Sequence, residues 1–170
     1  MSVRHATLAD VPAIYRLIAY YAQRGVLLRR EREEIRGNIG NFLVHSDGPR
    51  VVGCISLESY GTELSEIRSI AVAPEIIGRG IGSGLLESAL AEARRREIAR
   101  VFAVTDVPQL FLRSGFTAVS RQLLTEKIDR DCRKCPQRSS CKLTAVIATV
   151  HPQHLVLPVL AGSSIRNLLR

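Results

Sequence analysis

Ile70-Ala71-Val72-Ala73-Pro74-Glu75-Ile76-Ile77-Gly78-Arg79-Gly80-Ile81-Gly82-Ser83-Gly84-Leu85-Leu86 reads as an apolar strand, a turn alternating glycine with other residues, and an amphipathic helix beginning near Gly80. Such a junction aims free backbone N–H groups and the positive end of a helix dipole at one point in space. Alternate glycines cost backbone entropy, and a plain turn needs only one. The stretch therefore predicts an anion site, most naturally for a phosphate.

Spacing narrows the ligand. A dinucleotide fingerprint needs G-x-G-x-x-G, but Gly78 and Gly80 lead to Ser83, and Gly80 and Gly82 lead to Leu85. A Walker loop needs Lys and then Ser or Thr after its last glycine, whereas Gly84 is followed by Leu85 and Leu86. Both nucleotide readings fail.

Outward from the loop, the chain of 170 residues is long enough for one domain with a real core. Its 46% hydrophobic and 24% charged residues are ordinary for a soluble globular protein. No apolar run reaches the length of a membrane span, and Met1-Ser2-Val3-Arg4-His5 lacks a secretory apolar region, so a cytoplasmic location is expected. The net charge of +8 raises nucleic acid as a partner, but the basic residues are scattered and aromatics make up only 5%. A basic enzyme acting on polyanionic small molecules accounts for the charge equally well. Cys54, Cys132, Cys135 and Cys141 are expected to be reduced thiols.

Val3–Ala6 predicts a first strand, and Asp10 a helix cap with Pro12 in the first turn. Ile14, Leu17, Ile18 and Tyr21 follow at helical spacing, and a second helix is expected from Arg30 to Ile39. Phe42–His45 and Val51–Ser59 form a hairpin about Asp47-Gly48-Pro49, and Glu63–Val72 is the strand entering the glycine loop. Beyond the loop, Leu85, Leu86, Ala89, Leu90 and Ala93 make one stripe, with Arg94-Arg95-Arg96 complementing the helix dipole at its end. Arg100–Thr105 follows a crossover helix and should lie parallel to Glu63–Val72. Asp106 and Pro108 open a short helix ending at Gly115, and Phe116–Ser120 pairs with Leu143–Val150 across a Cys-rich segment.

This order of elements, and the loop itself, resemble the GNAT superfamily of N-acetyltransferases. The resemblance implies an α/β (α+β) fold: a mixed, mostly antiparallel central sheet with a parallel, splayed pair of strands and flanking helices. It implies acetyl-CoA as acetyl donor, with its pantetheine arm along Ile70, Ala71 and Val72 and its pyrophosphate on Gly78, Arg79, Gly80, Ile81, Gly82 and Ser83. The family usually has Arg or Gln where this chain has Ile77, which leaves the pyrophosphate to backbone amides. Three segments read together, Gly25–Glu33, Glu66–Val72, and Val101–Thr105 with Phe111–Phe116, are similar to the acetyltransferase domain of bacterial N-acetylglutamate synthases. Asp131-Cys132-x-x-Cys135-Pro136 through Cys141 is similar to a segment of that group's short members. The match spans residues 1–150 as one acetyltransferase domain and leaves 151–170 as an extension of unassigned role. The kinase-like arginine-binding domain of longer synthases is not expected, so arginine control would need another site or subunit.

Acetyl transfer to an amine needs a neutral amine, a polarised thioester carbonyl and a proton for the departing thiolate. Glu66, at the start of the strand leading to the acetyl site, is the candidate general base, acting through water; the competing reading is a solvated strand-end carboxylate. A Tyr used as acid by many relatives is Phe111 here, so the proton would come from solvent or from a water held by Thr105. Glutamate's carboxylates suit guanidinium partners, and Arg29 and Arg30 could cover the acceptor side of the cleft. The resemblance favours Leu27 and Arg29 as substrate contacts. Arg68 shares a strand face with Glu66, and either binds substrate or pairs with the base.

Cys132-x-x-Cys135-x5-Cys141 supplies only three thiols for zinc, with Cys54, His151 or His154 as the fourth ligand, and no metal is assigned. The leading expectation is an enzyme that acetylates the α-amine of L-glutamate, in arginine biosynthesis. The chain is expected to need neither nucleic acid nor membrane, and a homodimer is allowed. Competing readings are an acetyltransferase for another amino acid or amine, and a non-catalytic acetyl-CoA-binding regulator suggested by Ile77 and Phe111.

Overall fold

The computed structural model describes residues 2–136 and 138–151, so the extension, apart from His151, lies outside the described residues. The elements are β1 (Ser2–His5), α1 (Val11–Ala22), α2 (Arg32–Gly37), β2 (Phe42–Asp47), β3 (Arg50–Tyr60), β4 (Leu64–Val72), α3 (Ile81–Arg95), β5 (Arg100–Thr105), α4 (Pro108–Leu112), β6 (Thr117–Val119), α5 (Thr125–Arg130) and β7 (Thr144–Thr149). They form a seven-stranded sheet in the order β1-β2-β3-β4-β5-β7-β6. Every neighbouring pair is antiparallel except β4 with β5. This is the mixed, mostly antiparallel α/β arrangement expected from the sequence. No helix among the described residues is long and apolar enough to cross a membrane.

Burial of one helix stripe organises the core. Ile81, Leu85, Leu86, Ala89, Leu90 and Ala93 of α3 are all buried, at the i, i+3, i+4 spacing of one face. β3 runs close beneath them: a Cβ on Gly53 would stand 2.9 Å from Leu85 Cδ1 and 3.2 Å from Ile81 Cγ2. A second cluster joins Leu64, Phe102, Leu124 and Ala145.

The parallel pair is short. β4 and β5 pair at Leu64 with Arg100, Ser65 with Val101 and Glu66 with Phe102, and their ladder stops there although both strands continue. Just beyond, β4 bulges. Cys54 faces Ala71 and Ser56 faces Arg68, so Ser69 and Ile70 together oppose Ile55. Ser69 takes φ 51°, in the left-handed region that costs a side-chain-bearing residue energy. Bulges bend the strand that carries them, which is how β4 turns away from β5. Glu66 marks the vertex of the resulting V.

Local departures from the sequence reading have local causes. α2 begins at Arg32 rather than Arg30, because Glu31 is extended and precedes it. Asp10 precedes α1 but makes no side-chain bond to that helix. Its carboxylate instead takes both guanidinium nitrogens of Arg4, at 2.7 and 2.9 Å, and the Thr7 N–H at 2.8 Å. A bidentate charge-assisted pair outcompetes a single helix amide. Of the three arginines ending α3, Arg95 and Arg96 bond to the buried Glu92 as well as lying at the helix terminus. The sequence reading did not anticipate α5.

Glu92 and Asp10 make stability depend on acid. Hydrogen bonds from Arg95, joined by Arg96, outweigh burial and hold the Glu92 carboxyl at about 2, and those from Arg4 and Thr7 do the same for Asp10, also at about 2. In the unfolded chain both return to roughly 4, so folding binds fewer protons than unfolding between these limits. The stability they add is complete above the unfolded value and is lost as pH falls toward 2. Urea midpoints measured across this window should fall steeply for the wild type. Glu92→Gln and Asp10→Asn should be less stable at neutral pH and show a shallower fall.

Candidate active site

The glycine loop has the geometry of an anion cradle. Gly78 and Gly80 adopt φ 87° and 78°, and a Cβ on either would meet nothing within 4 Å, so conformation rather than crowding selects glycine. Gly80 is the N-cap of α3, and no side chain caps that helix. The N–H groups of Ile81, Gly82 and Ser83, in the first turn, have no intrahelical acceptor. Arg79 and Ser83 are exposed beside them. A Cβ on Gly82 would lie 3.9 Å from Leu110 Cδ2 and 4.0 Å from Val72 Cγ2, which brings α4, the end of β4 and the loop together.

Past the vertex, the β4 backbone through Ile70, Ala71 and Val72 has no β5 partner. The Tyr21 hydroxyl, on α1, donates to the Val72 carbonyl at 2.5 Å and fixes the strand end. Burial pushes the Tyr21 phenol up, so it remains a donor. Thr105 ends β5, nearly buried, and its hydroxyl accepts the Val107 N–H at 3.0 Å. Ile77 is 62% exposed on the loop. Phe111 is buried and stacks edge-on against Phe116 at 5.3 Å, so that position supplies packing and no proton.

A cleft of about 340 Å³ opens among α2, β3, β4 and α5, lined by Arg30, Glu58, Arg68, Ser69, Arg130 and Asp131 among others. Two of its lining residues, Arg68 and Asp131, belong to a buried ionic cluster. Glu66, 3% exposed, receives on Oε2 the Tyr60 hydroxyl at 2.8 Å, Arg68 Nε at 2.8 Å and Lys127 Nζ at 3.0 Å, while Oε1 takes none of these bonds. Asp131 Oδ2 receives Arg68 Nη2 at 2.6 Å and Lys127 Nζ at 2.7 Å, and shares the single Tyr60 hydroxyl proton with Glu66 Oε2. Burial works to raise the Asp131 carboxyl, but the bonds from Lys127 and Tyr60 and the charge of Arg68 prevail and hold it at about 2. Burial and the Glu66 charge push the Tyr60 phenol far up.

Glu66 is thus no solvated strand-end carboxylate, and Arg68 pairs with it. Arg30 bonds Glu34 and lines the cleft. Arg29 does not line it: its side chain is 74% exposed and paired with Glu31 at 2.9 Å. Leu27 packs partly buried against the main core. The sequence reading missed Tyr60, Lys127, Arg130 and Asp131. The one signal available was the i,i+4 spacing of Lys127 and Asp131.

All four cysteines are free, and no group of three ligating side chains suited to a metal ion occurs among the described residues. Cys54 is buried in β3 with its thiol on the Ser69 carbonyl at 3.5 Å, and burial pushes that thiol up to about 12. His154 lies outside the described residues.

A sheet that parts beside an uncapped helix start, over a charged cleft, defines an acyltransferase that holds a phosphate-bearing donor. Residues 10–116 match the model of the Acetyltransferase (GNAT) family, and the chain belongs to that family. It is an acetyl-CoA-dependent N-acetyltransferase. An uncharacterized N-acetyltransferase of Chlorobaculum tepidum is 37% identical over 148 residues, covering 87% of this chain and 96% of that protein. An amino-acid acetyltransferase of Mycobacterium tuberculosis is 36% identical over 135 residues, 77% of either chain. The solved N-acetylglutamate synthase of Neisseria gonorrhoeae, complexed with coenzyme A and N-acetyl-glutamate, superposes with a TM-score of 0.80 at 28% identity, over 89% of this chain and 35% of that one.

Because Gly80 is alone in its space, its replacement isolates backbone conformation. Gly80→Ala should lower stability by about 1–2 kcal/mol, read as a drop in Tm. It should also shrink the further rise in Tm produced by saturating coenzyme A, since the strained cap no longer aims the first-turn amides.

Proposed function

We propose that the chain acetylates the α-amine of L-glutamate, as an N-acetylglutamate synthase at the entry to arginine biosynthesis. The observation that carries this reading is the position of Glu66, buried at the vertex where β4 and β5 part and bonded to Arg68, whose side chain lines the cleft. The names of the relatives support the acceptor class: an amino-acid acetyltransferase at 36% identity and an N-acetylglutamate synthase in fold.

In this reading the donor supplies an acetyl thioester. The first-turn amides of Ile81, Gly82 and Ser83, with Gly78, Arg79 and Gly80, hold its pyrophosphate, and the unpaired edge of Ile70, Ala71 and Val72 takes its pantetheine arm. Glu66 is the general base. Tyr60, Arg68 and Lys127 occupy Oε2 and fix the carboxylate, which leaves Oε1 to hold the water that deprotonates the acceptor ammonium. Arg30 and Arg68, which line the cleft, face the acceptor's carboxylates; Leu27 and Arg29, in the loop before α2, would contact the acceptor only if Arg29 left Glu31 and swung toward the cleft. With Phe111 buried, the thiolate takes its proton from solvent or from a water on Thr105.

One observation favours a second acceptor, an amino acid with an uncharged side chain. Each cation about the cleft is already matched: Arg30 with Glu34, Arg68 with Glu66, Lys127 with Asp131 and Arg130 with Glu58. The cleft presents no surplus positive charge to a dicarboxylic acid.

A thiol-release assay with acetyl-CoA against L-glutamate, L-glutamine, L-aspartate and unrelated amines decides between them. Turnover with glutamate is expected; turnover confined to another amine overturns the glutamate reading. Glu66→Gln should lower kcat by about 100-fold or more while still binding coenzyme A. An undiminished rate would remove Glu66 from the chemistry.

A further inference from the structure

The cleft carries a carboxylate that the chemistry does not use. Asp131 follows α5, and its side chain is 27% exposed, against 4% for Glu66, 10% for Lys127 and 14% for Arg68. It is therefore the most exposed of these four charged side chains, and it lines the cleft. Its Oδ2 collects Arg68, Lys127 and Tyr60, and its Oδ1 faces Arg130 Nε at 3.8 Å. Three donors converging on one oxygen form a cradle for a carboxylate, and Asp131 fills it.

Formal charge gives this arrangement a consequence. Arg30, Arg68, Lys127 and Arg130 are balanced by Glu34, Glu58, Glu66 and Asp131, so the cleft is neutral as it stands. An acceptor side-chain carboxylate placed beside Arg68 must either meet the Asp131 charge or displace it. An amide of the same shape meets no such repulsion and can donate to Asp131. In a half-buried site this difference is weakly screened.

We propose that Asp131 determines the acceptor's charge selectivity, holding the cleft neutral and so restraining a dicarboxylic acceptor relative to its uncharged amide. The Asp131 carboxyl stays ionised at every working pH, because the cradle holds it at about 2. Asp131 shares Arg68, Lys127 and Tyr60 with Glu66, so its loss can lower both rates through the base; selectivity is read from their ratio. The proposal rests on the reading of this cleft as the acceptor site, and not on glutamate being the preferred acceptor.

The test is the ratio of kcat/KM for L-glutamate to that for L-glutamine, measured on one preparation so that the folded fraction cancels. Asp131→Asn should raise this ratio by about tenfold or more, the scale of one charge-assisted contact. Lys127→Gln removes a cation from the same cradle and should lower the ratio, and it decides the matter if Asp131→Asn fails to fold. A merely structural Asp131 would lower both rates together, and a ratio unchanged by the variants overturns the proposal. If the wild type uses only glutamine and Asp131→Asn gains glutamate, the proposal stands and the glutamate reading falls. If the wild type, titrated with each amino acid in the presence of coenzyme A, binds neither, both fall.

Discussion

The molecule depends on the early end of one ladder. After Glu66 and Phe102 the parallel pairing of β4 with β5 stops, and the backbone of β4 runs on toward Val72 without a β5 partner. Unpaired backbone groups inside a fold are costly, so a sheet opens in this way only where something else satisfies them. The bulge at Ser69 and Ile70 provides the bend, and the strained φ of Ser69 records its cost. The open end of β4, the glycine loop and Glu66 then all lie on one chain segment, Glu66 to Ser83.

The charged cleft is built on a different principle. The glycine loop offers amides whose direction is fixed by the backbone, whereas the cleft offers side chains fixed by one another. Glu66, Arg68, Lys127, Asp131 and Tyr60 hold each other at hydrogen-bonding distance, and Tyr60 is itself braced by Phe102 at 5.3 Å and by Arg130 over its ring at 4.2 Å. Removing one member leaves its partners buried and unpaired, which is the expensive way to break such a network. A tightly held Glu66 carboxylate follows, in a cleft whose charges are already engaged.

How far the sequence could be read follows from where its signals lie. The glycine loop, the α3 stripe and the order of strands were legible, because periodicity, glycine spacing and crossover handedness are local properties. The ionic cluster was not. Its members come from β3, β4 and α5, and only Glu66 and Arg68 are neighbours in the chain. Thr125–Arg130 has too few apolar residues to announce a helix, and Lys127, 8% exposed, is buried by ion pairing that hydropathy does not register. The bulge at Ser69 escaped for a related reason: neither Ser69 nor Ile70 is a residue type that demands the left-handed region. Arg29 shows the opposite limit, a residue conspicuous in its segment whose side chain points into solvent and pairs with Glu31.

Gly53 ties α3 and the sheet together. Its missing side chain lets Leu85 and Ile81 settle directly onto β3, and Ile81 is also the first residue of the helix whose first-turn amides lack an intrahelical acceptor. The height of α3 above the sheet is therefore set at a position remote from any chemistry. A methyl group there would stand 2.9 Å from the end of Leu85 and 3.2 Å from that of Ile81, so these two side chains would have to give way first. The seat of α3 on the sheet is thus held by a contact between two elements that only pack.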